Sequence, residues 1–392
     1  MTDRPAPTGR PRFDIGEIVR QHRTALEAEE PLSHAQRRVL SAIALCRTAA
    51  LGCHVDVCRS CDFERPAYNS CRNRHCPKCQ ALRQEKWISA RTECLLAVPH
   101  FHAVFTLPSE LRALAKCCPR EIFGALFAAA SETLLELGES RFHARLGVTM
   151  VLHTWTRELL LHPHVHALVT AGGLALDGTR WVHGSKKFLF PVKVMGELLR
   201  GKMMASLRAL HASGTFAAFE DFADPEGFDR LMRKLARAKR WIVYAKQPFA
   251  RVDHVIKYLG RYTHRVGIAN SRLVNVTNSA VTFRTKNGKT TTVESVEFLR
   301  RFVQHVLPDG FHKIRHYGLY AGASTDARST AAHYLASLTT TSATTAVSPT
   351  SQALLRDVAG LDVHRCPRCG GTLEHRPIPT ERDRAPPLLE AA

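Results

Sequence analysis

The sequence predicts an α+β protein with a small cysteine-rich module near its start. Three features predict it. Long stretches carry apolar residues at helical spacing, and several short runs alternate apolar and polar with period two. Six cysteines also crowd into the segment from Cys53 to Cys79.

At 392 residues the chain has room for two or three domains and a sizeable core. Its 45% hydrophobic and 23% charged content is ordinary for a globular protein. The charge balance is not: Lys+Arg 55 against Asp+Glu 35 gives +20, with a pI near 9.8. Such an excess points to a polyanionic partner, nucleic acid first. No run of 18 apolar residues occurs, and Met1-Thr2-Asp3-Arg4-Pro5-Ala6-Pro7 lacks the apolar core of a signal peptide. A soluble, cytoplasmic protein with no membrane partner is therefore expected. Thiols stay reduced there, so the 12 cysteines read as metal ligands or core residues rather than disulfides.

Residues 1–12 are rich in Pro and Arg, a composition that does not build a core. From Phe13 to Leu51 the apolar spacing gives two helices, with Pro31-Leu32-Ser33 as break and cap. The cysteine block then reads Cys53-x4-Cys58-x2-Cys61-x9-Cys71-x4-Cys76-x2-Cys79, with His54 and His75 alongside. Two Cys-x2-Cys knuckles 14 residues apart match a zinc ribbon or treble-clef-like site. Cys58, Cys61, Cys76 and Cys79 are the first choice for a closed, structural tetrathiolate. Cys71, His75 and Cys53 remain as substitutes or as parts of a second site. Arg65, Arg72, Arg74, Lys78 and Arg83 make the module basic, which suits a DNA-facing surface and a plain scaffold equally.

Residues 81–98 read as a helix ending before Pro99, 100–107 as a strand, and 109–139 as helical. A further strand, 147–155, leads into Leu161-His162-Pro163-His164-Val165-His166-Ala167-Leu168-Val169, and a Gly172-Gly173 pair closes the run. The two strands are expected to pair as an antiparallel hairpin. Side chains alternate along a strand, so His164 and His166 share one face while Val165 takes the other. His162 joins them if the strand starts early, although Pro163 fits a strand only at its first residue or an edge. Two imidazoles one pleat apart can hold a divalent metal and leave positions open for a substrate. His153 would lie near His164 across the hairpin and is a candidate third ligand. Because His100-Phe101-His102 repeats the pattern, the pattern by itself does not define a site.

Residues 192–212 and 225–239 are helical and basic, and 241–244 is a short strand. A helix from Arg251 to Thr263 carries His254, Lys257, Tyr258, Arg261 and Tyr262, with His264 and Arg265 just beyond. Tyr258 and Tyr262 lie one turn apart on one helix face, with His254 one turn earlier. A tyrosine beside Lys257, Arg261, Arg265 and a metal can be the nucleophile of phosphoryl transfer. An amphipathic helix with two half-buried tyrosines is the plain alternative. Three β stretches follow (270–277, 280–285 and 290–293), with Asn287-Gly288 as a hairpin turn. After a helix at 298–306, the basic and aromatic stretch 310–320 holds Lys313 and Arg315, which suits a phosphate backbone and stacked bases. Residues 336–352 form a Ser/Thr/Ala-rich linker. Beyond it, Cys366-Pro367-Arg368-Cys369 offers half a zinc site that lacks two ligands.

Four motifs, in order, converge on one family. They are Ser70-Cys71-Arg72-Asn73-Arg74-His75-Cys76-Pro77-Lys78-Cys79, then His162-Pro163-His164-Val165-His166 with Gly172-Gly173. Tyr258-Leu259-Gly260-Arg261-Tyr262-Thr263-His264-Arg265 and Phe311-His312-Lys313-Ile314-Arg315-His316-Tyr317-Gly318 complete the set. Together they resemble the rolling-circle insertion-sequence transposases of the HUH class, two-tyrosine type with an N-terminal zinc-binding module, over about residues 15–325. The resemblance implies a nuclease-type central antiparallel sheet flanked by helices. It divides the chain into a helical segment (1–50), a zinc-binding module (51–98), a nuclease domain (99–325) and a linker with tail (326–392). It implies that His164 and His166 hold Mg2+ or Mn2+, the third ligand coming from His153, His162 or His254, and that Zn2+ is structural. It also implies that Tyr258 and Tyr262 attack single-stranded DNA at the element ends, leaving a 5′-phosphotyrosine and a free 3′-OH. Lys257, Arg261, Arg265, Lys313 and Arg315 are the expected DNA contacts, in a nucleoid-associated protein of the bacterial cytosol. The alternative is a non-catalytic, zinc-containing DNA-binding descendant of such a transposase. A zinc hydrolase built on His164 and His166 would need a carboxylate base, and no His-Glu-x-x-His pattern is present.

Overall fold

A computed structural model describes residues 11–185, 187–238, 241–249, 260, 267–337 and 362–378. The expected tyrosine helix lies outside these residues except for Gly260. His254, Lys257, Tyr258, Arg261, Tyr262, His264 and Arg265 are therefore not described, nor is most of the expected linker.

Strands among the described residues run, in chain order, β1 (Cys53–Cys58), β2 (Glu64–Tyr68), β3 (His100–Thr106), β4 (Ala144–Trp155), β5 (Leu161–Ala175) and β6 (Trp181–His183). They continue as β7 (Val243–Phe249), β8 (Leu273–Val276), β9 (Ala280–Arg284), β10 (Thr290–Glu294), β11 (Ile314–Gly318) and β12 (Leu373–Ile378). Helices interrupt the series at several points and the strands pair antiparallel, which makes the architecture α+β with antiparallel sheets. No helix among the described residues is long and apolar enough to cross a membrane.

The chain forms two compact units, and neither is continuous in sequence. One comprises residues 1–87, 264–306 and 347–392; the other comprises 88–263 and 307–346. This differs from the linear division expected, because 264–306 leaves the 99–325 segment and the tail is shared out. Packing is the cause. The helix Ser295–Val303 lies against the helix Ile15–Glu29, and β12 pairs with β1.

In the first unit the two expected N-terminal helices appear as Ile15–Glu29 and His34–Leu45. Asp14 caps the first by accepting from the Gly16 N–H at 3.0 Å. Ser33 and Gln36 form a reciprocal capping box at the second, the role its sequence position suggested. Two three-stranded sheets complete the unit, in the orders β12-β1-β2 and β10-β9-β8. The turn from β9 to β10 uses Asn287 and Gly288 at φ 57° and 75°, left-handed values that these residue types tolerate.

The second unit is built on the sheet β11-β4-β5-β3-β7, with β6 added beside β5. Its two faces differ because side chains alternate. Phe101, Phe105, Val148, Met150, Leu152, Val165 and Val169 face a core shared with the helices Pro119–Phe142 and Val192–Ala212. Burying Phe101 and Phe105 alone contributes about 3–6 kcal/mol. A one-residue slip would move them to the other face, so the register is fixed. That other face carries His100, His102, His153, His164 and His166. β5 begins three residues earlier than a strand starting at His164, which brings Pro163 inside a central strand. A bulge there, between the pairs His153/His164 and Trp155/Leu161, accommodates a residue without an N–H. β7 starts later than expected because Trp241 is drawn into the core, its indole donating to the Leu235 carbonyl at 3.4 Å.

Candidate metal centres

The β4–β5 hairpin sets His153 directly opposite His164, as the sequence suggested, and Val151 opposite His166. The His153 ring stands 5.3 Å from that of His164 and 4.4 Å from that of His166, centroid to centroid. His153, His164 and His166 each offer a ring nitrogen to one small volume, with all three nitrogens within 4.8 Å of one another. Trp155 stacks on His153 at 4.8 Å and fixes its plane.

Hydrogen bonds select the tautomers. Nδ1 of His164 lies 2.7 Å from the His162 carbonyl, so it carries the proton and Nε2 keeps its lone pair. The backbone of His162, and not its ring, thus serves the cluster. His166 Nδ1 lies 2.8 Å from His102 Nε2. Donation from His166 to His102 frees the Nε2 of His166 in the same way. Burial pushes His164 and His102 down to about 4 and His166 well below its ordinary value. All three imidazoles are therefore neutral near pH 7, the state in which imidazole binds a metal.

His102 is the neighbour of the trio that sequence reasoning missed. Its signal was present in the second His-x-His, on a strand in register with the first. The companion His100 is a satisfied core residue: Nδ1 donates to the Val98 carbonyl and Nε2 accepts from the Tyr320 hydroxyl, each at 2.7 Å. Tyr244 and Lys246 of β7 pair with Val104 and His102 and so share the histidine face.

The basic and aromatic stretch forms the edge strand β11, paired with β4. Arg315 lies over the rings of Phe127 and Phe311, at 4.4 and 5.0 Å from their centroids, and remains partly exposed. The ammonium of Lys313 is enclosed, contrary to its expected role as an open phosphate contact. Its carbonyl accepts from Leu152, which draws the residue into the strand pairing.

The cysteines do not form the expected set of Cys58, Cys61, Cys76 and Cys79. Cys76 and Cys79 gather with Cys46 and Cys71, whereas Cys58 and Cys61 gather with Cys366 and Cys369. The β1–β2 hairpin explains the split. Cys58 and Cys61 sit at its tip, while 71–79 follow its open end, five residues or about 17 Å away at 3.4 Å per residue. His75 stays out of the cluster, its backbone and ring both directed to Asn73 Oδ1. Cys46 had no knuckle partner to draw attention to it. Sulfur separations are 3.4 Å for Cys46–Cys79, 3.7 Å for Cys71–Cys79, 3.4 Å for Cys58–Cys369 and 3.8 Å for Cys61–Cys366. Four sulfurs each 2.3 Å from one zinc would stand about 3.8 Å apart, so both clusters fit that ion.

Comparison with known proteins adds to this geometry. Residues 147–328 match the family described as "Putative transposase", and residues 18–107 match that described as "Transposase zinc-binding domain". The chain is 44% identical over 317 residues to "Putative transposase y4qJ" of Sinorhizobium fredii (strain NBRC 101917 / NGR234), covering 78% of this chain and 79% of the relative. It is 30% identical over 291 residues to the transposase for insertion sequence element IS801 of Pseudomonas savastanoi pv. phaseolicola, covering 70% and 68%. No solved structure matches. The three clustered histidines fall inside the first matched segment, and Cys46, Cys71, Cys76 and Cys79 fall inside the second.

Proposed function

Because the chain belongs to the IS91/IS801 family of insertion-sequence transposases, we propose that it cleaves and rejoins single-stranded DNA through a 5′-phosphotyrosine intermediate, in rolling-circle transposition. The observation that carries this reading is the trio His153, His164 and His166 on the polar face of an antiparallel sheet. A divalent cation held there would polarise the scissile phosphate and offset the charge developing on it. The all-nitrogen donor set suits Mn2+ better than Mg2+, which prefers oxygen.

The protein's own residues supply the rest. The phenolate oxygen of Tyr258 or Tyr262 attacks phosphorus, and the bond from phosphorus to the 3′ oxygen breaks. Phosphorus stays joined to the tyrosine on the 5′ side of the DNA, and the departing 3′ oxygen takes up a proton. Rejoining is the reverse, a 3′-OH attacking the phosphotyrosine. Two tyrosines four positions apart in the sequence suit two sequential cuts, one strand end being held while the second is made. Lys257, Arg261, Arg265 and Arg315 supply cations for the DNA backbone, in keeping with the +20 charge. Cys46, Cys71, Cys76 and Cys79 hold a structural Zn2+ with no open position for chemistry.

Incubation with labelled single-stranded DNA and Mn2+ tests the reading, the expected product being a covalent protein–DNA band. DNA binding without any such band would instead support the non-catalytic zinc-containing descendant.

A further inference from the structure

The turn holding Cys58 and Cys61 meets the turn holding Cys366 and Cys369, although 305 positions separate Cys61 from Cys366. We propose that these four cysteines bind a second structural zinc ion, which clasps the C-terminal strand β12 onto the N-terminal hairpin. Half of the ligand set lies beyond the matched zinc-binding domain, which ends at residue 107 and contains Cys58 and Cys61 but neither Cys366 nor Cys369.

Both turns are built as metal knuckles. Backbone amides are aimed at sulfur: Ser60 N–H at Cys58 (3.3 Å), Arg368 N–H at Cys366 (3.4 Å) and Gly371 N–H at Cys369 (3.4 Å). Such donors favour thiolate over thiol, the form that binds metal. The second turn closes through a Gly370 N–H bond to the Cys366 carbonyl at 2.9 Å, with Gly370 at φ 74°. The two turns are also packed against each other. A Cβ on Gly371 would come 2.7 Å from the Ser60 hydroxyl oxygen and 3.0 Å from the Ser60 Cβ, so a larger residue there would require Ser60 to shift.

The surroundings call for such a staple. Among the described residues, the buried apolar cluster at the site comprises Cys58, Cys366 and Leu373, with Phe63 and Cys61 packed at its margin. A core that small does not hold two distant chain segments together unaided. β1 and β12 pair over six residues, from Cys53 with Ile378 to Cys58 with Leu373. Across the same sheet, Asp56 accepts from Arg65 on β2 at 2.7 Å and lies 2.6 Å from Nδ1 of His375 on β12. Four thiolates close the coordination shell, so the ion is structural and offers no position to substrate.

Alkylation of the full-length, zinc-loaded chain with N-ethylmaleimide, followed by peptide mapping, tests the proposal. Cys369 and Cys117 are both exposed, so burial alone does not distinguish them. Protection of Cys58, Cys61, Cys366 and Cys369 is expected while Cys117 reacts, and a chelator should release all four. Zinc analysis should give two ions per chain, falling to one in the C366S/C369S variant. Alkylation of Cys369 as fast as Cys117 in the loaded protein would overturn the proposal. So would a single zinc with only Cys46, Cys71, Cys76 and Cys79 protected, and that result would leave the first zinc site standing. The alkylation map is made on the unaltered chain, so it decides the matter even if the variant does not fold.

Discussion

His102 stands directly behind His166, the two rings within 5° of parallel and Nε2 of one 2.8 Å from Nδ1 of the other. That contact sets which nitrogen of His166 faces the cluster and holds the ring at its angle. His102→Ala should therefore weaken Mn2+ binding roughly 10–100-fold while leaving DNA affinity close to wild type. The Mn2+ dependence of adduct formation measures it, and an unchanged metal requirement would reduce His102 to packing.

On the proposed mechanism His164→Ala removes a metal ligand but no cation that contacts phosphate. It should abolish the covalent adduct and retain most binding to single-stranded DNA. Parallel loss of binding and cleavage in a gel-shift and adduct assay would mark the histidine as structural.

The tyrosines are best separated with phenylalanine, which keeps ring volume and deletes the oxygen proposed to attack. The double variant Tyr258→Phe with Tyr262→Phe should fold and bind DNA but form no adduct. Each single variant should retain some single cleavage and fail at paired events. If one single change removes every adduct, the other ring has a packing role. If the double variant still forms adduct, the nucleophile lies elsewhere.

Acid should destabilise the second unit through its neutral histidines. Burial holds His100 at about 4 in the fold, against 6.5 when unfolded. The unfolded chain binds the extra proton first, so this stabilisation is complete above pH 6.5 and is lost as pH falls toward 4. One such group amounts to about 3 kcal/mol over that window. Urea unfolding between pH 7 and pH 5 should show the decline, and His100→Phe should flatten it. An identical pH slope in the variant would assign the effect to other groups.

The histidine trio was largely legible in the sequence because its determinants are local. A short turn fixes His153 against His164, and a period of two puts His166 beside them. The cysteine pairing was not legible, since spacing along the chain says nothing about a partner some 300 positions away. The lone Cys46 and the repeated His-x-His at His102 were under-read for a related reason: each gains its meaning only from a neighbouring element. Pro163 delayed the expected start of β5 because a bulge cannot be read from one strand alone.

The distance along the chain between Cys61 and Cys366 is also a distance in time. At roughly 5–20 residues per second, a ribosome needs about 15–60 s to add the 305 positions between them. Through that interval the N-terminal hairpin waits with two thiols and one unpaired edge. The module thus stays open until Cys366 has been made, and a chain cut short before that residue leaves it unfinished.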